Sequence, residues 1–365
     1  MTKKLVVCFD GTWNTPDDDN GDHDELDSKE TNVVRLYRSI RGEDCAGIPG
    51  GDRAGAAPVK TLKWYDKGVG TRWYDHIRGG AFGFGLSLNI RQGYKFLIDH
   101  YEPGDEVYVF GFSRGAYSAR SLVGLLRNCG LLRHEHCTEA EPDDNPCLVD
   151  AYHLYRNRDA SADTDLACDF RQRYAHPKAR IKVLGVWDTV GALGIPLKVA
   201  RLWSADHYRF HDTRLSSLVD NAFHALALDE HRPDYDATLW EERPRPGQNV
   251  EQVWFVGAHA DVGGGVAGQR LTDLSLEWMQ SRAQLGGAGL AIDPAQIPDV
   301  RDLDVRSLAI TDSYSRFALG LYKLFRDRFY RPVLRHGAEE IHDSVRSKLD
   351  RDPDYRPHNP GLIGT

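Results

Sequence analysis

Short apolar runs rich in β-branched and aromatic residues alternate along the chain with longer stretches in which apolar residues recur every three or four positions. The first pattern predicts buried strands and the second amphipathic helices; their alternation predicts a parallel sheet covered by helices. Strands are expected at Leu5–Phe9, near Val59–Tyr65, at Glu106–Phe112, at Ile181–Trp187 and at Gln252–Gly257. Thr31 is placed to cap a helix that carries Val33, Val34, Leu36, Tyr37 and Ile40 on one face. Further helices are expected from about Leu86 to His100, after Gly115 through Ala116, Ala119, Leu122, Val123 and Leu126, and from Leu271 to Leu285.

Between these elements, Gly42 to Ala57 reads as a loop, and a glycine-rich connection runs from Gly68 to Gly85. Residues 135–180 are polar, contain Pro142 and Pro146, and read as an insertion between core elements. Pro353, Pro357 and Pro360 predict an extended tail over 351–365, lying on the surface. No repeat or low-complexity linker divides the rest, so residues 1–350 are expected to form one α/β domain. Its predicted architecture is a mostly parallel central sheet with helices on both faces and polar insertions.

With 41% hydrophobic and 27% charged residues, the 365-residue chain holds enough apolar material for a core and too much for wholesale disorder. Its 46 Lys and Arg against 54 Asp and Glu, a formal net charge of −8, argue against a dedicated nucleic-acid binder and against lasting attachment to anionic lipid. The apolar run after Lys3 and Lys4 is too short for a signal peptide and ends in Asp10, and no window approaches a membrane span. Six cysteines without a CxxC pair read as free thiols in a reducing compartment. The chain therefore reads as cytoplasmic, with export by a signal-independent route left open and no stable membrane insertion. Cys137 and Cys147 beside His134 and His136 fit no standard zinc spacing, and no metal or cofactor is expected. Eight carboxylates between Asp17 and Glu30 read as a solvated loop, with cation binding the alternative. Nothing in the composition sets the oligomeric state.

The predicted strands end at residues unusual for a strand end. Val107–Phe110 runs into Gly111-Phe112-Ser113-Arg114-Gly115 and then a helix, which is G-x-S-x-G at a sharp strand-to-helix turn that lifts a serine hydroxyl clear of the sheet. Gly111 and Gly115 leave room for that turn. The alternative for Ser113 is a structural helix cap. A serine needs a base to become a nucleophile, and among fifteen histidines His259 is placed best, just past the strand Val253–Gly257. His224, His231 and His342 lie in helix-like or polar contexts, with His342 in reserve. Asp188, closing Val183–Trp187, fits the acid that orients the base. Asp261 and Asp229 are the substitutes, Asp261 being better suited to fixing its loop. The order Ser113, Asp188, His259 is the one expected of an α/β-hydrolase-like chain. The oxyanion would take backbone N–H donors from Arg114 and from Gly11 or Thr12, with Asp10 either supporting that loop or serving as a structural carboxylate.

Phe9-Asp10-Gly11-Thr12-Trp13-Asn14, Gly111-Phe112-Ser113-Arg114-Gly115-Ala116, Val186-Trp187-Asp188-Thr189-Val190-Gly191 and Gly257-Ala258-His259-Ala260-Asp261-Val262-Gly263-Gly264-Gly265 together resemble the α/β-hydrolase family numbered 2235 among domains of unknown function. That family includes the type VI secretion phospholipase effectors. The resemblance runs from about residue 3 to the Ile341–Val345 segment and implies esterase chemistry of the phospholipase A kind, with Ser113, Asp188 and His259 as triad. The expected activity is cleavage of a carboxylic ester, small or lipid, with at most transient contact with a lipid surface. The alternatives are a metal-dependent phosphohydrolase built on Asp10, Asp188, Asp261 and His259, and a non-catalytic interaction module of hydrolase fold. The aromatic stretch Trp73–Phe84 and the stretch Ile195–Phe210 are candidates either to cover an apolar substrate or to pack in the core.

Overall fold

The computed structural model of the chain describes residues 2–11, 30–48, 50–52, 59–68, 81–138, 140–157, 159–191, 214–266, 270–316, 323 and 326–362. Thr12, the acidic loop up to residue 29, residues 73–80 of the first aromatic stretch and all of Ile195–Phe210 lie outside the described residues.

Eight strands form one sheet: β1 (Lys4–Phe9), β2 (Glu43–Asp44), β3 (Thr61–Asp66), β4 (Glu106–Phe112), β5 (Ile181–Trp187), β6 (Val219–Ala227), β7 (Asn249–Phe255) and β8 (Glu339–Ile341). Their spatial order is β2-β3-β1-β4-β5-β6-β7-β8, and every pairing is parallel. The architecture is α/β-hydrolase-like. The chain starts inside the sheet at β1, crosses to the edge at β2, comes back to β3 beside β1, and then passes to the other side of β1 with β4. Such a reversal leaves a crevice beyond the carboxyl ends of the central strands, where α/β sheets place their ligands. Because the strands are parallel, Asp10, Ser113, Asp188 and the loop before His259 all follow strand ends on one edge of the sheet.

β1 shows how the two faces are covered. Val6 and Cys8 join a core with Val33 and Leu36 of α1 (Asn32–Ser39) and with Leu274 and Met279 of α7 (Leu271–Gln284). Leu5, Val7 and Phe9, pointing the opposite way, join a second core with Tyr94 and Leu97 of α2 (Ala81–His100) and Leu122 and Leu126 of α3 (Arg114–Cys129). Thr31 caps α1, its hydroxyl accepting from the Val34 N–H at 3.3 Å.

Several expectations need correction. The predicted loop over 42–57 carries β2, and α2 begins at Ala81 rather than near Leu86; the 135–180 stretch, expected as an insertion, lies between β4 with its helix α3 and β5 and holds α4 (Pro146–Arg156) and α5 (Asp165–Tyr174). His224 lies in β6, a strand, not in a helix-like context. After α8 (Ser313–Arg316) and α9 (Asp343–Arg351), residues 352–362 adopt no helix or strand, yet Tyr355, Asn359 and Leu362 are buried. The segment runs largely along the surface and is pinned there: the Asn359 amide donates to the carbonyls of Leu228 and Arg331 at 3.0 and 2.9 Å. Among the described residues no helix is long and apolar enough to cross a membrane.

Candidate active site

The turn between β4 and α3 is tight enough to define who can occupy it. A Cβ on Gly111 would sit 2.5 Å from the Gly115 carbonyl oxygen, and one on Gly115 would overlap the carbonyl oxygen of Phe9 at the end of β1. Both clashes are with backbone, so the two glycines let the start of α3 settle directly on the neighbouring strand end. Ser113 between them has φ 57° and ψ −119°, a left-handed conformation that a non-glycine residue keeps only where its surroundings enforce it. Its N–H is tied to the Trp187 carbonyl at 3.1 Å, and its side chain makes no cap bond to α3. The serine is thus held by backbone, and its hydroxyl is directed elsewhere.

That hydroxyl lies 2.8 Å from Nε2 of His259, and Nδ1 of the same ring lies 2.6 Å from Oδ2 of Asp188. His259 opens the short helix α6 (His259–Gly263) just past β7, and Asp188 follows β5 with φ 37°. Three residues separated by 75 and 71 positions are brought into one hydrogen-bonded line by the ends of β4, β5 and β7. Ser113 is 8% exposed, His259 7% and Asp188 fully buried, so the line runs from the surface inward. The Phe112 ring lies 4.6 Å from the imidazole and the Tyr235 ring 5.3 Å away edge-on, fixing its plane from two sides.

Asp188 has a second partner, a cation, that the sequence does not reveal. Arg331 presents its fork to the carboxylate, Nη1 to Oδ1 at 2.6 Å and Nη2 to Oδ2 at 3.0 Å, while the Ala227 N–H donates to Oδ1 at 3.0 Å. Burial alone would push the Asp188 carboxyl up; the Arg331 guanidinium, followed by the hydrogen bond from His259, outweighs it and holds the carboxyl well below its ordinary range. Nearby, Glu230 is buried and takes Arg232 bidentately at 2.8 and 2.8 Å, accepts from Ser313, and accepts from the His259 N–H at 3.4 Å. Arg331 sits among Arg326, Arg328 and Arg335, which in sequence look like one solvated basic stretch; no spacing singles it out.

The remaining candidates are occupied elsewhere. Asp10 accepts from the hydroxyls of Thr31 and Tyr65 at 2.6 Å each and from the Gly11 N–H at 2.6 Å, which is the arrangement of a structural carboxylate. The Gly11 N–H therefore faces Asp10 rather than a substrate. Asp261 accepts from the Ala258 N–H and from the N–H and hydroxyl of Thr311, tying its loop together. Asp229 accepts from the Gly257 N–H at 2.7 Å and from Tyr355, away from the imidazole of His259. His224 is fully buried, its Nε2 accepting from the Thr189 N–H at 3.2 Å, and burial followed by the charge of Arg120 lowers its pKa to about 3. His231 engages the Phe329 carbonyl at 3.0 Å, and His342 caps α9 while stacked 4.3 Å from the Phe255 ring. Asp10, Asp188, Asp261 and His259 do not converge on a common point, since each carboxylate faces its own donors. Among the described residues no three His, Cys, Asp or Glu side chains gather to hold a metal ion.

Known proteins can be set beside this geometry. An uncharacterized protein of Saccharomyces cerevisiae is 25% identical over 265 residues, 66% of this chain and 33% of its own length. The chain thus spans about a third of that relative. A crystal structure of an uncharacterized protein from Pseudomonas aeruginosa covers 82% of this chain and 48% of its own at 18% identity and a TM-score of 0.45. The Tle1 effector, solved bound to the VgrG spike of the Type 6 secretion system, covers 74% of this chain and 53% of its own at 18% identity, with a TM-score of 0.38. A thermophilic esterase from the planctomycete Thermogutta terrifontis covers 78% and 82% at 10% identity, with a TM-score of 0.37. The family model describing the catalytic domain of Tle1-like T6SS phospholipase effectors matches residues 3–282, the span that holds Ser113, Asp188 and His259. The chain belongs to the family of Tle1-like phospholipase effector catalytic domains of the type VI secretion system.

Proposed function

We propose that this chain is a serine hydrolase that cleaves the carboxylic esters of lipids in the manner of a phospholipase A, within one catalytic domain spanning residues 1–350. Ser113 is the nucleophile, His259 the base and Asp188 the acid that orients it. The observation that carries this reading is the unbroken line from the Ser113 hydroxyl through both nitrogens of His259 to Asp188. In the acylation step the Ser113 oxygen attacks the ester carbonyl and its proton passes to Nε2 of His259. The tetrahedral oxyanion takes the backbone N–H of Arg114, the first residue of α3, with a second donor from the segment after β1, where the sequence offers Thr12. Collapse expels the alcohol, which receives the Nε2 proton, and water then releases the acid by the same steps in reverse order.

Membership of a phospholipase effector family supports lipid as the substrate, met at a surface by transient contact. The test is a panel of phospholipid vesicles and soluble p-nitrophenyl esters, with fluorophosphonate labelling alongside. Ser113→Ala should abolish labelling and reduce turnover by about 10³-fold or more. Full ester turnover by that variant would reject the reading, and turnover of soluble esters with none of phospholipid would reject the substrate class alone.

A further inference from the structure

We propose that Arg331 is a positioning residue of the hydrolytic site, its guanidinium fork fixing Asp188 so that Oδ2 faces His259 and keeping the Asp188–His259 pair from taking up a proton as the medium acidifies. The inference rests on the triad reading above and concerns a residue beyond the span the family model matches, residues 3–282.

The geometry is that of a clamp. Arg331 is fully buried, and its two terminal nitrogens divide between the carboxylate and the backbone. Nη1 holds Oδ1 of Asp188 and the Ala227 carbonyl at 2.7 Å, while Nη2 holds Oδ2 and the Tyr235 carbonyl. The Asn359 amide in turn holds the Arg331 carbonyl. A planar fork anchored at the last residue of β6 and in the β6–β7 connection permits one orientation of the carboxylate plane, and in that orientation the oxygen shared with Nη2 is the one 2.6 Å from the imidazole. A lysine supplies the charge without the fork.

The charge acts as well as the shape. A carboxylate paired with an imidazole alone answers to that ring alone; here a permanent cation already sits on the carboxylate, so adding a proton to the Asp188–His259 pair meets a like charge. The charged and titratable groups facing this cluster are Glu230 with Arg232 on the His259 side, Tyr235 against the imidazole ring, Asp236 acting on Arg331, and His224 behind Asp188. Burial would disfavour the guanidinium charge, and Asp188 followed by Glu230 and Asp236 outweighs it, so Arg331 keeps its proton throughout the working pH range.

The test compares wild type with Arg331→Met and Arg331→Lys, measuring kcat, KM and the rate of fluorophosphonate labelling from pH 4 to 9, with a thermal melt to establish folding. Folded Arg331→Met should lose about 10²-fold in kcat at little change in KM, and the acid limb of its labelling profile should move up by on the order of one pH unit. Arg331→Lys should keep the acid limb of wild type while losing about tenfold in kcat, because it keeps the charge and not the fork. An unmoved acid limb in folded Arg331→Met overturns the proposal. If Arg331→Met does not fold, Arg331→Lys decides: wild-type kcat in that variant overturns the positioning role, and a tenfold loss at an unmoved limb supports it. Labelling that survives Ser113→Ala would instead indict the triad reading on which the inference rests, so the two failures are distinguishable.

Discussion

Replacing Asp188 by Asn changes one oxygen to an amide nitrogen and should harm stability and activity by separate routes. The carboxylate makes four polar contacts, two at Oδ1 with Ala227 and Arg331 and two at Oδ2 with His259 and Arg331. An Asn can keep its oxygen toward the first pair, which then turns its NH₂ toward the Arg331 and His259 nitrogens. The Arg331 contact becomes donor against donor in a fully buried place, with the guanidinium charge no longer matched. Breaking a buried ion pair from one side costs about 3–5 kcal/mol, and losing one or two charge-assisted hydrogen bonds at about 1.5–3 kcal/mol each gives about 1.5–6 kcal/mol, a range that contains it. The activity loss has a different origin. The amide can only donate to Nδ1, which places the ring proton on Nε2, facing the Ser113 hydroxyl it should accept from; a loss of about 10⁴-fold in kcat is expected. Urea unfolding followed by fluorescence measures the first effect, and ester turnover the second. The two should also separate with pH. The Asp188 carboxyl is held below its unfolded value, so the stability it contributes is present above about pH 4 and is lost as pH falls through the folded value; the gap between wild type and variant should narrow on acidification. A variant within about 1 kcal/mol of wild type at pH 7 would refute the reasoning that loss of the carboxylate leaves the Arg331 charge buried and unmatched.

Asp229→Asn should have the opposite sign. Burial raises the Asp229 carboxyl to about 6, so the stability it contributes in its neutral form is present below its unfolded value and lost as pH rises through 6. An Asn can still accept from the Gly257 N–H and donate to the Tyr355 hydroxyl, and the variant should be more stable than wild type by about 1–3 kcal/mol at pH 8, with the difference vanishing near pH 4 in denaturant melts. Gly115→Ala should destabilise by about 2–3 kcal/mol and abolish fluorophosphonate labelling, since its Cβ would push α3 off the end of β1; a variant with normal melting and labelling would contradict the close approach described there.

What could be read in the sequence was what sits at the ends of regular, strongly apolar strands. β1, β4, β5 and β7 each carry β-branched or aromatic runs, and each stops at or just before a residue whose chemistry stands out, so Asp10, Ser113, Asp188 and His259 are all legible in the sequence. β6 was missed for a physical reason. Val219–Ala227 contains Asp220, Asn221, three alanines and His224, a composition with little strand preference, and its burial on both faces removes the alternation that marks a half-exposed strand. β8 is three residues long, shorter than any periodicity can reveal. Gly11 was placed as an oxyanion donor because glycine admits close approach, which says nothing about where its N–H points; in the folded chain it turns to its neighbour Asp10. Arg331 was invisible because a buried arginine and a solvated one are spelled alike, and only tertiary structure brings a carboxylate to it.

The pinned segment at 352–362 has a bearing on how the protein is made. Ser113, Asp188 and His259 leave the ribosome in that order, yet the charge that balances Asp188 arrives only with residue 331, and the amide that steadies its backbone only with residue 359. During synthesis the growing chain must therefore carry a desolvated carboxylate with no counter-ion, or leave that corner of the sheet open to water until residue 331 has emerged. The setting of the proposed triad is in this way tied to residues 331 and 359, and a variant truncated before Arg331 would hold Ser113, Asp188 and His259 without the cation that sits on Asp188.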